Sequence, residues 1–478
     1  MPTVGMYIDI SPLVDATVSG NIDQMIVVAR EMTQRGADAS ELIGRVGMIA
    51  AHGDSDGHTI LTLDAASMMC RWLIPLHYTL AEETLNLTRG LPFLVQALAA
   101  AVPAVREGKE KQAQVSYPAP LFPSGLREGQ TVNSALHDAI FGNDAVMVER
   151  LLLGLYGTGA DYRTLQIRLY DSISTTFQNA GHPLMFAVRG TQLLDAVEWE
   201  ERTPNIIHWL APHLPLHSAE PDWVNTVRSF LSDSNHSLAS YRTRLAAPKE
   251  ENALPLRRLI LSDADTAQIC QGVYNALIKD GASSRGIGSV IALTATDLMQ
   301  RVGDGDREAF VRAAHGLLFS AAVRLVFVET QEVEALPLLF TAASYVNVLH
   351  KELAEQTPTA QPTGTQSPVL GGGLIAPALL DTLREQLEER DLTGAFSTVR
   401  RYIQLGYDVR SLFAIIGLVS AQADAAADQG HTMQIVQATG EEYTAWPATL
   451  SGINIEGFLH VALRAAAFAK RNTLVSNL

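Results

Sequence analysis

The chain has few cysteines, a deficit of positive charge and no long apolar run. Cys70 and Cys270 are its 2 cysteines, too few for a disulfide framework or a four-thiolate zinc site. Its 35 Lys and Arg stand against 51 Asp and Glu, which gives a net charge of −16. Because nucleic acids and anionic membranes bind basic surfaces, we expect neither as a partner. The scarcity of thiols suits a reducing compartment, and we predict a cytoplasmic location.

Sequence features of membrane insertion and of common catalysts are also missing. The longest apolar stretch, GLLFSAAVRLVFV, is interrupted by Arg324 and is shorter than the roughly 18 residues that a spanning helix needs. The first residues, MPTVGMYIDISPLVD, lack the basic and apolar regions of a signal peptide. No HExxH, CxxC or P-loop motif occurs, and no motif for flavin, nicotinamide or an iron–sulfur cluster.

Helical periodicity dominates what is present. Apolar residues recur at intervals of three and four in segments such as MIVVAREMTQRG and VMVERLLLGLYG, as in amphipathic helices. Sustained alternation of period two is scarce, so we predict an all-α protein. Segments rich in Pro, Gly or charge are interpreted as linkers. These linkers are 106–130, 246–255 and 356–373. The helical units between them, each long enough to bury a core, are 1–105, 131–245, 256–355 and 374–478.

The four predicted units carry matching motifs. Each has a Gly that ends one helix in the left-handed conformation and, two residues later, a polar residue that caps the next. These pairs are Gly36/Asp38, Gly159/Asp161, Gly281/Ser283 and Gly406/Asp408. Each unit later has a small residue followed by His, at His58, His182, His315 and His431. The intervals of 124, 133 and 116 residues indicate an internal repeat.

A second histidine follows in units two and four only. His208 and His460 lie 26 and 29 residues after the preceding repeat histidine, so the four units resemble two related halves. If similar units pack around a pseudo-symmetry axis, matching imidazoles meet and can share a metal ion. The predicted metal ligands are His58, His182, His208, His315, His431 and His460. Carboxylates near the repeat motifs, Asp54, Asp56, Asp64, Glu441 and Glu442, are available to assist. The adjacent pair Glu441 and Glu442 is expected to be solvated.

One segment resembles a known family. Gly181, His182, Pro183 and Leu184, followed by Ala187, are similar to the GHxL-type helix start of questin oxidase-like proteins. The resemblance implies an all-helical enzyme that uses dioxygen to open or cleave a polyketide-type aromatic ring, with histidine-held non-haem iron. The sequence departs from the family at its His-x-x-Thr segment, where Leu338 replaces the His that precedes Thr341.

Three functions follow from these observations. The first is an iron-dependent, non-haem oxygenase or oxidase that acts on an apolar, aromatic small molecule through a multi-histidine site. The second is a helical-repeat interaction or scaffold protein, in which the histidines cap helices or pack within their own units. The third is a cofactor-free oxidase with His as general base. The sequence predicts no particular oligomeric state.

Overall fold

The protein is helical throughout the residues that its computed structural model describes, which are 8–73, 90–241, 250–356 and 376–475. Those residues contain no β-strand, so the predicted all-α class is confirmed. The helices are α1 (Ser11–Ser19), α2 (Ile22–Gln34), α3 (Ala39–Ala50), α4 (His58–Trp72), α5 (Leu91–Gln112), α6 (Val132–Phe141), α7 (Ala145–Gly157), α8 (Tyr162–Ile173), α9 (His182–Asp195), α10 (Thr203–Leu210), α11 (Asp222–Ser232), α12 (Leu254–Ile260), α13 (Thr266–Tyr274), α14 (Ser284–Arg301), α15 (Arg307–Glu329), α16 (Pro337–Gln356), α17 (Ala376–Glu388), α18 (Leu392–Gln404), α19 (Val409–Ser420), α20 (His431–Thr444) and α21 (Glu456–Ala467).

The predicted glycine–cap pairs are confirmed at all four positions. Each glycine has a positive φ, and each following polar side chain accepts a backbone N–H of the first turn of the next helix. The glycines are Gly36, Gly159, Gly281 and Gly406. The caps are Asp38, Asp161, Ser283 and Asp408. Local sequence chemistry therefore fixes where α3, α8, α14 and α19 begin.

Two predicted linkers contain helix. Helix α5 continues to Gln112, seven residues into the segment 106–130. Its charged end is a helix surface, where Lys111 pairs with Glu107 one turn away and Lys109 with Asp15 of α1. In the segment 246–255, Pro255 stands in the first turn of α12, where a proline starts a helix. The linker 356–373 lies outside the described residues except for Gln356.

Four helices form a ring at the centre of the fold. Helices α4, α9, α15 and α20 pack in cyclic order, each against two of the others. The helix that precedes each of them in the chain packs on it as well, namely α3 on α4, α8 on α9, α14 on α15 and α19 on α20. The central four are therefore covered by other helices and are buried over most of their length.

Helix α15 shows the consequence of this burial. By length and composition it is the one helix among the described residues that could cross a membrane, yet 72% of its apolar window is buried inside the protein. Arg324, in its second half, is 2% exposed. We interpret α15 as a core helix, and the cytoplasmic location stays a prediction.

Candidate functional site

The structure brings four of the six predicted ligands into one closed ring. Ring centroids are 5.0 Å apart for His58 and His182, 5.1 Å for His182 and His315, 5.1 Å for His315 and His431, and 5.8 Å for His431 and His58. Among the described residues no ring contact joins the diagonal pairs, so the imidazoles form a four-membered ring rather than a tetrahedron. We call this set the histidine ring. Its members are separated by more than 100 residues along the chain.

Three of the four histidines begin a helix, and the fourth does not. His58, His182 and His431 are the first residues of α4, α9 and α20, each after a glycine in the left-handed region. His315 is the ninth residue of α15, which begins earlier because Asp306 caps it. His315 therefore does not lie at a helix N-terminus, in keeping with Ala314 where the others have glycine.

The glycines before the histidines permit close packing between neighbouring central helices. A Cβ at any of them would clash with the residue four positions after the next histidine around the ring. The pairs are Gly57 with Phe186 at 2.3 Å, Gly181 with Phe319 at 2.3 Å and Gly430 with Thr62 at 2.1 Å. Only glycine combines this approach with a positive φ. The three contacts run in the same rotational sense and bring successive imidazoles together.

Hydrogen bonds from Nδ1 to the main chain orient three of the four imidazoles. Nδ1 of His182, His315 and His431 each donates to a main-chain carbonyl three or four residues earlier. The acceptors are Asn179, Val311 at 2.9 Å and Asp428 at 2.6 Å, respectively. In a neutral imidazole this leaves Nε2 unprotonated, and no hydrogen bond joins these Nε2 atoms to a described residue. A carbonyl on the second nitrogen is the usual support of a metal-binding histidine.

His58 has a carboxylate in the corresponding position. Its Nδ1 lies 3.5 Å from Oδ1 of Asp56, whose side chain is 63% exposed. Asp54 is buried but serves the helix, because its oxygens accept the backbone N–H groups of Thr59 and Ile60 in the first turn of α4. Burial raises the pKa of Asp54 above its ordinary value. Asp56 is therefore the nearby carboxylate that approaches the ring.

Burial favours the neutral form of three imidazoles of the ring. Burial, helped by the neighbouring His315, lowers the pKa of His182 to about 3 and that of His431 to about 3. Burial also lowers the pKa of His315. A desolvated cluster of like groups disfavours the charged form. At neutral pH these histidines offer lone pairs rather than protons, which is the state that ligates metals.

The ring is slightly wider than a metal-bound one. With the side chains as placed, no three His, Cys, Asp or Glu donors among the described residues converge closely enough to hold one ion. A square with sides of about 5.2 Å has corners about 3.7 Å from its centre, whereas an imidazole centroid lies about 3.3 Å from an ion bonded at about 2.1 Å. Each imidazole would therefore have to move inward by about 0.4 Å to bond an ion at the centre of the ring.

The other two predicted ligands lie elsewhere. Nδ1 of His208, on α10, is 2.7 Å from Oε1 of Glu149, and its ring lies 5.5 Å from that of His52. His460, on α21, contacts the ring of Phe396 at 5.8 Å, and its buried Nδ1 has no partner. Neither makes a ring contact with the four, because α10 and α21 are not among the central helices. The structure does not assemble the six histidines as one site.

A second polar group lies further along the same four helices. Arg324 of α15 donates from Nε to Glu442 of α20, and their side chains are 2% and 0% exposed. The expectation of a solvated Glu441 and Glu442 pair is therefore wrong, since Glu442 is fully buried and the side chain of Glu441 is only 11% exposed. Adjacent helix residues diverge by about 100°, so one member points inward. Burial raises the pKa of Glu442 to about 7.

Helices α4 and α9 complete this group. Arg189 of α9 lies 3.8 Å from Asp64 of α4 and 3.1 Å from Glu441 of α20. Nε2 of Gln437 donates to Asp64 at 3.2 Å. Burial raises the pKa of Asp64 to about 7. We call Asp64, Arg189, Arg324, Glu441 and Glu442 the charged layer.

The two groups define the direction of the central helices. On each helix the charged-layer residue follows the ring histidine, by 6 residues on α4, 7 on α9, 9 on α15, and 10 and 11 on α20. Since both groups connect the same four helices, all four run in the same direction. The histidine ring lies toward one end of this parallel bundle, and the charged layer lies deeper.

Comparisons with family models, curated proteins and solved structures give no match to this chain. The resemblance to questin oxidase-like proteins therefore stays a prediction that rests on the segment around His182.

An open surface depression lies apart from both groups. It has a volume of about 520 Å³ and is bounded by Arg163, Ile167, Val328 and the segment 329–332. No histidine of the ring and no member of the charged layer lines it. Its walls offer no converging set of donors, so we place the candidate site at the histidine ring.

Proposed function

We propose that the histidine ring binds one transition-metal ion, with iron as the first candidate. We propose also that the protein is a non-haem oxygenase or oxidase of an apolar, aromatic small molecule. The observation that carries the proposal is the closed ring of His58, His182, His315 and His431. The oxygenase chemistry and the substrate class come from the sequence resemblance. A bound iron supplies redox chemistry with dioxygen, and imidazole nitrogens are suitable ligands for it.

The chain's own residues fit such an ion in three respects. The imidazoles of His182 and His431 are neutral at physiological pH, so binding does not have to displace their protons. Their Nδ1 atoms are held by carbonyls, which fixes the ring orientation and the tautomer. A ring of four ligands also leaves two positions of a six-coordinate ion to other ligands, whereas a tetrahedral set closes the site.

The four-unit arrangement is part of the same proposal. We interpret the central helices as equivalent members of four repeats related by a pseudo-fourfold axis, and the units as two related halves. Supporting observations are the cyclic packing of the helices and the contacts of Gly57, Gly181 and Gly430 in one rotational sense. Unit three departs from this symmetry, because His315 lies inside its helix rather than at the first residue.

General-base catalysis without a metal is the weaker candidate. A base that works at neutral pH needs a pKa near 7. At a pKa of about 3, His182 and His431 are too weakly basic to take a proton from a phenol. Asp64 and Glu442 have pKa values near 7 but are fully buried in the charged layer.

Metal content of purified protein tests the proposal. Protein loaded anaerobically with Fe²⁺ and freed of excess metal should retain about one ion per chain, and less than about 0.2 per chain contradicts the proposal. Exchange of His182 or His431 for Phe should abolish retention. The matched controls are His208→Ala and His460→Ala, which remove histidines outside the ring and should leave the stoichiometry unchanged. Equal loss in ring and control variants would favour a purely structural role.

A further inference from the structure

The charged layer holds an odd number of charges in a place that is almost closed to water. Fully ionised, its three carboxylates and two guanidinium groups carry a net charge of −1. The side chains of Asp64, Arg189 and Glu441 are 0%, 7% and 11% exposed, and those of Arg324 and Glu442 are 2% and 0% exposed. An uncompensated charge at such a site is expensive, so a proton or a cation is needed to balance it.

Two oxygen atoms are available to carry that proton. Asp64 uses Oδ2 for its hydrogen bond and Glu442 uses Oε1, while Oδ1 of Asp64 and Oε2 of Glu442 are buried without a partner. An ionised carboxylate in that position leaves lone pairs unsatisfied, whereas protonation removes the charge. The free oxygens of these two side chains are therefore the sites at which the extra proton is held.

The carboxyl groups of Asp64 and Glu442 are faced by the following charged and polar side chains. Asp64 is faced by Arg189 from α9, by Gln437 and Glu441 from α20 and by Arg71 from its own helix. Glu442 is faced by Arg324 from α15, by Glu441 from its own helix and by Arg189. Arg71 is exposed to solvent and is screened. The charged layer therefore contains three carboxyl groups and two guanidinium groups.

We propose that the charged layer carries one proton in the metal-free protein and releases it when a divalent cation binds in the histidine ring, an inference that rests on the proposed metal site. Asp64 follows His58 by six residues of helix, a rise of about 9 Å. At that range, in a poorly solvated interior, a nearby positive charge favours the ionised layer. The O–H bond on Asp64 or Glu442 breaks and the proton passes to water.

The neutral state of His182 and His431 helps to make this release measurable. Because His182 and His431 carry no proton at pH 7, cation binding has none to expel from them. Glu441, the most exposed member of the layer at 11%, offers the proton its exit to solvent. The proton release at pH 7 that is lost on substitution of Asp64 or Glu442 therefore reports on the charged layer.

Titration of the full-length protein with Zn²⁺, a redox-silent probe of the ring, tests the inference. Calorimetry at pH 7 in two buffers of different ionisation enthalpy gives the protons released per ion bound. We expect roughly one in the wild type and close to none in Asp64→Asn or Glu442→Gln, since either change leaves two acids against two bases. Asp171→Asn is the matched control, because Asp171 is a mostly buried carboxyl with a pKa raised to about 6 on α8, outside the layer. It should release as many protons as the wild type.

A second measurement needs no variant. At pH 9 the layer of the wild type is already ionised, so the release on Zn²⁺ binding should fall toward zero. Binding without proton release, or equal release in Asp64→Asn and the wild type, overturns the inference and leaves the metal site standing. Absence of Zn²⁺ binding overturns the proposed metal site and this coupling with it.

Discussion

The histidine ring and the charged layer lie on the same four helices, but burial has opposite consequences for the charge that each carries. The ring gathers basic side chains of one kind, none of them paired with a buried carboxylate among the described residues, and burial lowers the pKa of His182 and His431 to about 3. In the charged layer, opposite charges meet, and Arg324 with Glu442 forms an almost fully buried ion pair. Desolvation therefore yields neutral lone pairs in one place and paired charges in the other. One end of the bundle is suited to receive a cation, and the other holds charge that is already present.

Removal of one partner from the charged layer should have the largest effect on stability. Arg324→Met leaves Glu442 buried without its cation and should lower the free energy of unfolding by about 3–5 kcal/mol, as measured by urea denaturation. Addition of Glu442→Gln to that variant should restore much of the loss. The surface pair Arg400 and Glu456 is the control, since Arg400 is 47% exposed and Arg400→Met should cost less than about 1 kcal/mol. Equal costs at the two sites would contradict the contrast drawn here.

The backbone of the ring should be the next most sensitive feature. Gly181→Ala combines a φ of +85° with a Cβ 2.3 Å from the ring of Phe319, and we expect a cost of about 2–4 kcal/mol in the free energy of unfolding. Gly159→Ala is the matched control, with a φ of +75° but nothing within 4 Å of its Cβ. Gly159→Ala should lower the free energy of unfolding by about 1 kcal/mol, which is the cost of the left-handed backbone conformation alone. A cost at Gly181 no larger than at Gly159 would show that close packing does not hold the ring together.

Sequence patterns predicted the helices and the meeting of four histidines better than they predicted the charges. The glycine–cap pairs are local chemistry, so Gly36 with Asp38 and its counterparts could be placed without tertiary information. The recurrence of His at matching positions pointed to an axis. His208 and His460 were included because they too recur, but recurrence in two units does not say on which helix face a side chain lies.

The charged layer was missed because each member was judged within its own segment. Within its own segment, Arg324 only interrupts an apolar run, and Glu442 is one of two adjacent acids that favour solvent. The signal that would have found them is the same one that found the ring: an ionisable residue 6 to 11 positions after each repeat histidine, inside an otherwise apolar helix. Pairing between helices decides whether such a residue is buried, and a single chain pattern does not contain that information.

The pH dependence of stability should separate the two groups in metal-free protein. The lowered pKa of His182 and His431 contributes stability above their unfolded pKa of 6.5 that is lost as pH falls toward 3. The raised pKa of Asp64 and Glu442 contributes stability at pH 4 that is lost as pH rises through 7. In the variant Asp64→Asn/Glu442→Gln only the first dependence remains, so stability should rise more steeply from pH 4 to 6.5, by on the order of 1–3 kcal/mol. Urea midpoints at pH 4, 5.5 and 7 measure it, and parallel curves would contradict it.

The smallest effect should come from the one imidazole that lacks a carbonyl partner. Nδ1 of His58 lies 3.5 Å from Asp56, whereas Nδ1 of His431 donates to the Asp428 carbonyl at 2.6 Å. Asp56→Ala should weaken Zn²⁺ binding by about tenfold, the lower end of the range for lost support of a metal-bound histidine. The fold should lose no more than about 1 kcal/mol, since the Asp56 side chain is 63% exposed but its Oδ1 accepts the backbone N–H of His58 at 3.0 Å. Asp23→Ala, a change of another acidic residue in the first turn of a helix, provides the control for general surface charge. If the two variants bind Zn²⁺ equally well, helix packing alone orients His58. The orientation of all four imidazoles is then determined by the backbone.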